Sequence, residues 1–459
     1  MNFILLFFTL IVFTLKSLDF IYLFQTKEYR LDRFFVFLRE EDLLKLLFGR
    51  RIRMPGATIR NLLILQLVLL NTILFTLWFS NTSLIQLLIG LLLSPVSALA
   101  TIFIGVVLSD VPVQAYRKRI ISQARVKIQK SKTIFIGITG SYGKTTTKEF
   151  LFRILSQKFK VAKTDKNYNS DIGVAISVIK NLQKDTDYFI AEIGAYRKGE
   201  IKTVCDLIKP KYGILTGIGN QHLSLFGSKK NLLEAKAELL ESIPHGSMVF
   251  INDDIKDKRF FSNKTKAKIV YYSLKNLPFA FKTNLPGEHI RQNLLPCILL
   301  AQDLGVEKSV ILKAIKNLKP VANRLVKSTG VNNAAILDDS YNSNVGGFMA
   351  AIETANDMNY RQKFILSRGL IELGDEKQAS YRKIIDRLKR SKLALLTTDR
   401  LFKDPVFADN QVILFPDEAK LLNYIKAKAD KNTLLIIEGR FEAKTLKELL
   451  AYSNHSPKN

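Results

Sequence analysis

The chain has 459 residues, 47% of them hydrophobic, and its 69 Lys and Arg outnumber 41 Asp and Glu to give a formal net charge of +28. That length allows two or three domains, with apolar content ample for packed cores and for membrane segments. Two cysteines, Cys205 and Cys297, form no CxxC pair, which argues against a disulfide framework or zinc site and fits a reducing cytoplasm. The charge excess suggests an anionic partner, such as nucleic acid, lipid headgroups or phosphorylated substrates. Lysines spread over solvated faces explain it equally well.

Residues 3–25 are a candidate membrane span interrupted by Lys16 and Asp19. Those two, three apart, can pair on one helix face, or the segment lies partly in the interface. It has neither the charged start nor the cleavage site of a signal peptide. Residues 27–60 then hold nine basic residues: Lys27, Arg30, Arg33, Arg39, Lys45, Arg50, Arg51, Arg53 and Arg60. From Asn61 to Ser109 there are 49 positions without a charge. They suffice for two spans of about 20 residues each. The polar SNTS, 80–83, divides them into 61–79 and 84–108, and Pro95 is tolerable as a kink. A second basic stretch, YRKRIISQARVKIQKSK, follows. The positive-inside rule places both basic flanks, and everything beyond about residue 115, in the cytoplasm.

Past residue 130, short apolar runs alternate with amphipathic stretches. Strands are expected at 133–138, 187–193, 212–218, 247–251 and 267–272, with helices at 144–157, 198–208 and 228–242. After a helical stretch at 289–317, further strands are expected at 334–339, 363–367, 393–397, 411–415 and 433–439. The alternation reads as α/β with mostly parallel sheets and helices on both faces. The expected division is a membrane region 1–115, a central domain 116–320 and a C-terminal domain 321–459.

The stretch GITGSYGKTTTKEF, 137–150, ends a strand and opens a helix. Gly140 and Gly143 let backbone N–H groups face phosphate oxygens, and the helix start adds its positive dipole end. Lys144 can reach the β- and γ-phosphates, and Thr145 or Thr146 can ligate Mg²⁺. The spacing is not that of GxxxxGK[ST], because position 138 is isoleucine.

TGSYGKTTTKE, 139–149, resembles the ATP loop of the Mur ligases, and most closely the branch that adds D-alanyl-D-alanine. The likeness recurs in order along the chain. TDKNYNSDIG, 164–173, is similar to T-x-G-N-x-N-N-x-I-G, with Lys166 and Ser170 as departures. IAEIGAYRKGEI, 190–201, is similar to E-x-G-A-x-x-x-G-E-I. GNQHLSLFGSKKNLLEAKAEL, 219–239, is similar to A-H-L-x-x-F-G-S…A-K-x-E. LPGEHIRQN, 285–293, keeps Gly287, His289 and Asn293, while Ile290 replaces an Asn. PVANRLVK, LDDSYNSNVGGFMAAI and LIELGDE complete the series.

The resemblance implies a P-loop-type central domain and a Rossmann-like C-terminal domain. It implies that Thr139, Gly140, Ser141, Gly143, Lys144, Thr145 and Thr146 bind ATP, with Asn293 at adenine, Arg324 at the γ-phosphate and Asp339 at the ribose. Thr145, Glu192, His222 and Lys236 would hold Mg²⁺, Lys236 as a carbamate. Lys144, Lys236, His222 and Arg324 would be catalytic. Asn167, Asn169, Tyr341 and Asn342 would touch substrate. The implied reaction activates a carboxylate as an acyl phosphate, which an amine then attacks. The implied partners are an anionic muramoyl peptide, a dipeptide amine, membrane lipid and other cell-wall enzymes, with no nucleic acid.

The chain also departs from the pattern. A globular UDP-binding domain would fall where the membrane segments lie. Arg368, Gly369 and Leu370 replace G-D-M, and Glu438 replaces the Lys of K-G-S-R. A ligase for another substrate, of the poly-γ-glutamate type, and a non-catalytic ATP-binding membrane scaffold remain alternative readings.

Overall fold

In the first 130 residues the uncharged runs become long helices. The computed structural model describes residues 2–40, 43–49, 53–79, 83–166, 168–219, 223–285, 287–320, 326–340, 345–370, 377–403, 411–439 and 441–450. The chain divides into two compact units, Met1–Ile120 and Ile121–Asn459.

The first unit contains α1 (Asn2–Thr26), α2 (Leu31–Glu40), α3 (Leu43–Phe48) and α4 (Ile59–Phe79). It also contains most of α5 (Leu84–Gln129). By length and composition, α1, α4 and α5 can each cross a membrane. The helix at 84 continues well beyond the expected end at 108. Loss of hydrophobicity ends a span but not a helix, and the Ala, Arg, Lys and Gln that follow are good helix formers. Lys16 and Asp19 are both buried, yet they do not pair with each other. Lys16 donates to the carbonyls of Leu46, at 3.2 Å, and Gly49, at 2.7 Å. Asp19 accepts from Arg53 at 2.7 Å. Each charge is thus satisfied by the segment between α2 and α4, which suits an apolar surrounding.

The second unit begins with β1 (Ile134–Thr139), α6 (Lys144–Leu155), β2 (Val161–Lys163), α7 (Asp171–Asn181) and β3 (Tyr188–Glu192). Then come α8 (Glu200–Ile208), β4 (Tyr212–Leu215), α9 (Leu223–Phe226), α10 (Lys229–Glu241) and β5 (Met248–Asn252). They are followed by α11 (Lys258–Ser262), β6 (Lys268–Tyr272), α12 (Glu288–Asp303) and α13 (Lys308–Lys316). The six strands form one parallel sheet in the order β2-β3-β1-β4-β5-β6. Sheet growth reverses around β1, and such a switch point opens a crevice at the carboxyl ends of the strands. Side chains of α6, α12 and α13 pack on one face, around Ile136, Ile138, Leu151 and Leu294. On the other face α10 packs closely, so that a Cβ on Gly137 would lie 2.6 Å from the Leu239 Cδ1 methyl.

The remaining elements are β7 (Val326–Thr329), β8 (Ala335–Asp339), α14 (Val345–Asn356), β9 (Gln362–Ser367), α15 (Lys377–Lys389) and β10 (Ala394–Thr397). The chain ends with β11 (Val412–Leu414), α16 (Glu418–Lys428), β12 (Thr433–Glu438) and α17 (Ala443–Leu449). Their order is β11-β10-β9-β12-β8-β7, parallel except for β7. Alternate residues of β12 serve opposite cores: Leu434 and Ile436 on one face, Leu435 and Ile437 on the other. Two strands escape the sequence reading, β2 and β7. They have three and four residues and no apolar run like those that mark the other strands.

Candidate active site

β1 is buried and apolar, and the chain leaves it through Gly140–Gly143 into α6. Gly143 adopts φ +81, and a Cβ on it would sit 2.4 Å from Asn293 Oδ1. Close approach of α12 therefore demands glycine, and it brings Asn293 against the loop. A Cβ on Gly140 would lie 2.1 Å from Thr216 Oγ1. The loop is braced from β4, where Ser141 N–H donates to the Gly217 carbonyl at 2.7 Å. Thr139 Oγ1 donates to the Ile193 carbonyl at 2.9 Å. Lys144 Nζ donates to the Gly140 carbonyl at 2.7 Å, so its ammonium stays over the loop. Thr145 is half-buried, and Thr146 is buried.

Glu192 ends β3, beside Ile138 of β1 in register. It is 2% exposed. Its Oε1 accepts from Asn169 Nδ2 at 3.2 Å, and its Oε2 lies 3.3 Å from Lys148 Nζ. Asn169 is held in turn, since its carbonyl accepts from Gly194 N–H at 2.8 Å.

Lys236 belongs to α10, whose first turn is capped by Ser228 accepting from Asn231 N–H. The residue is 4% exposed. Burial, with Lys144 nearby, lowers its amine to about 7. The ring of Phe226 lies 5.9 Å away. Gly140, Ser141, Lys144, Asn169, Phe226 and Lys236 line one small cleft. The loop 194–199 closes its side, held by two carboxylates. Glu200 accepts from Tyr196 N–H at 2.7 Å, and Glu238 accepts from Gly199 N–H at 2.5 Å and Lys202 N–H at 2.8 Å.

Asp339 stands apart from this cleft, at the end of β8 and in register with Glu438 of β12. Both are buried. His222, Arg324, Asn167, Tyr341 and Asn342 lie outside the described residues. Lys148 is a site residue that the sequence reading missed. A usable signal exists: it falls on the α6 face that carries Leu151 and Leu155, where a lysine is out of place.

A glycine loop between a central parallel strand and a helix, with a buried carboxylate at the next strand end, defines a phosphate-binding α/β protein. The comparisons narrow the class. Residues 138–278 match the Mur ligase middle domain. The UDP-N-acetylmuramoyl-tripeptide–D-alanyl-D-alanine ligase of Bacillus subtilis (strain 168) is 25% identical over 344 residues, covering 69% of this chain and 75% of the relative. Its counterpart in Borreliella burgdorferi is 29% identical over 348 residues, covering 68% and 73%. The crystal structure of the MurF ligase from Thermotoga maritima in complex with ADP superposes with a TM-score of 0.62 at 21% identity, covering 72% of this chain and 82% of that one. The chain thus carries a Mur ligase middle domain, and the relatives it resembles over about two thirds of its length are named as ligases.

Proposed function

We propose that this protein uses ATP to join D-alanyl-D-alanine, or a similar amine, to a muramoyl peptide in peptidoglycan precursor synthesis at the cytoplasmic face of the membrane. One observation carries the reading: the glycine loop, Asn169 and the buried, easily neutralised Lys236 share a single cleft.

In the proposed reaction the substrate carboxylate attacks the γ-phosphorus and ADP leaves. The amine then attacks the acyl carbon, and phosphate departs from the tetrahedral intermediate. Positioning and charge neutralisation supply most of the acceleration. Lys144 neutralises the moving phosphoryl group, with Arg324 as a second cation. Asn293 faces the base, and Asp339 the ribose. Asn167, Asn169, Tyr341 and Asn342 are proposed as substrate-binding residues.

The carboxylate of Glu192 and the hydroxyl of Thr145 are hard oxygen donors of the kind Mg²⁺ prefers. Glu192 Oε2 is buried and accepts no hydrogen bond among the described residues. Its contact is the Lys148 ammonium at 3.3 Å, and its free lone pairs fit a carboxylate that would also help hold a cation, which would supply neutralisation of phosphate charge when bound. His222 and Lys236 belong to the same proposal. A lysine lowered to about 7 is partly neutral at physiological pH, as reaction with CO₂ to a carbamate requires.

We assign the three apolar helices as membrane spans, and the basic flanks support a cytoplasmic position for the second unit. That location favours a lipid-linked muramoyl peptide and contact with other cell-wall enzymes. The test is phosphate release by the full-length protein in lipid vesicles, with ATP, Mg²⁺, a muramoyl tripeptide and D-alanyl-D-alanine. Release should require both substrates and run faster with the lipid-linked peptide than with the UDP-linked one. Release that needs neither substrate would return the protein to the ATPases. Equal rates on the two peptides would remove the lipid-linked assignment.

A further inference from the structure

Lys148 lies one turn beyond Lys144 on α6 and is fully buried. A buried ammonium costs several kcal/mol unless paired, so its partners reveal what it holds. Three segments meet at its Nζ. The carboxylate of Glu192 at the end of β3 lies 3.3 Å away. The carbonyl oxygen of Lys166 accepts a hydrogen bond at 2.5 Å. The third is its own helix, where Glu149 lies at 3.9 Å and is engaged from outside by Lys163.

Lys166 is not an ordinary loop residue. Its φ of +39 is unusual for a side chain other than glycine. It belongs to the segment leading to Asn169, whose amide donates to Glu192 and whose carbonyl accepts from Gly194. Thr164 Oγ1, at the start of that segment, accepts from Glu192 N–H at 3.1 Å. One cation thus fixes both ends of an assembly. It sets the direction of the Glu192 carboxylate, and it pins the left-handed turn that carries Asn169 into the cleft.

We infer that Lys148 is a positioning residue that ties the phosphate-loop helix to the 164–169 segment and so presents Asn169 to the carboxylate substrate. It does not contact ATP, because its ammonium is spent on Glu192 and the Lys166 carbonyl. This inference rests on the proposed ligase reading for its kinetic consequence, but not for its structural one.

The test uses the full-length protein with K148M and, in case that variant folds poorly, the charge-neutral pair K148M/E192Q. Hydrogen exchange is read first and needs no substrate. Amides of 164–173 should exchange at least about tenfold faster in a folded variant, while those of β1 and β4 keep their protection. Kinetics come second. In K148M, KM for the muramoyl peptide should rise about tenfold or more, with a clearly smaller rise in KM for ATP transmitted through Glu192, and K148R should recover part of the loss. Unchanged exchange in 164–173 in both variants would overturn the inference. So would equal rises in KM for peptide and ATP. A wild-type protein that ligates nothing defeats the ligase reading alone, and the exchange result still decides the role of Lys148.

Discussion

The two six-stranded sheets of the second unit follow the same plan, yet their carboxyl edges carry opposite charge. At the first edge Lys144 and Lys236 line one cleft, and Lys148 pairs with the buried Glu192. On the other sheet, β8 and β12 end in register on Asp339 and Glu438, both buried. Parallel architecture fixes where a site lies, at the carboxyl ends of the strands. The residues that end the strands decide what the site accepts. The first edge suits phosphate and a carboxylate substrate, and the second suits a neutral or cationic group.

The largest expected effect breaks the cationic edge. Lys144→Ala should lower ATP-dependent phosphate release at least about a thousandfold, the scale of losing a charge that stabilises a transferring phosphoryl group. Full turnover in that variant would remove the glycine loop from the chemistry. Next in size is a stability effect. Lys148→Met strands Glu192 without its counter-charge and should cost about 3–5 kcal/mol in denaturant unfolding. Adding Glu192→Gln should return most of that loss. A double variant no more stable than the single one would show that the pair is not coupled.

Lys236 offers a pH test of the same edge. Its folded-state value lies near 7, and its ordinary value is 10.5. Between those values the unfolded chain holds a proton that the folded chain lacks, so stability rises with pH across the window. The slope attributable to this residue approaches about 1.4 kcal/mol per pH unit. Melting curves of wild type and Lys236→Met, taken from pH 7 to 10, should diverge by that slope. Parallel curves would mean that Lys236 is solvated. The smallest effect concerns the acidic edge. Glu438→Gln should raise KM for the amine about tenfold and leave KM for ATP alone, as loss of one charge-assisted hydrogen bond implies. A larger effect on ATP would assign Glu438 to the nucleotide together with Asp339.

The two edges were unequally legible in the sequence. The glycine loop is local: its turn, its strand and its helix lie within about twenty residues, so a contiguous motif displays them. Glu192 and Lys236 stood out only through a family resemblance, since a glutamate at a strand end and a lysine in a helix are commonly solvated. Lys148 went unread because its meaning depends on Lys166 and Glu192, 18 and 44 residues away. Lys16 and Asp19 misled for the same reason. Three-residue spacing made them partners on paper, but a folded-back segment supplied better ones.

By itself, the sequence determined the apolar helices, the alternation of strand and helix, and the phosphate loop. Each rests on periodicity or on backbone freedom within a short window. Only the tertiary structure decided which charges are buried and what satisfies them. Burial is a property of neighbours, and the neighbours of Lys148, Glu192 and Lys236 come from strands and helices that the sheet order, not the chain order, brings side by side.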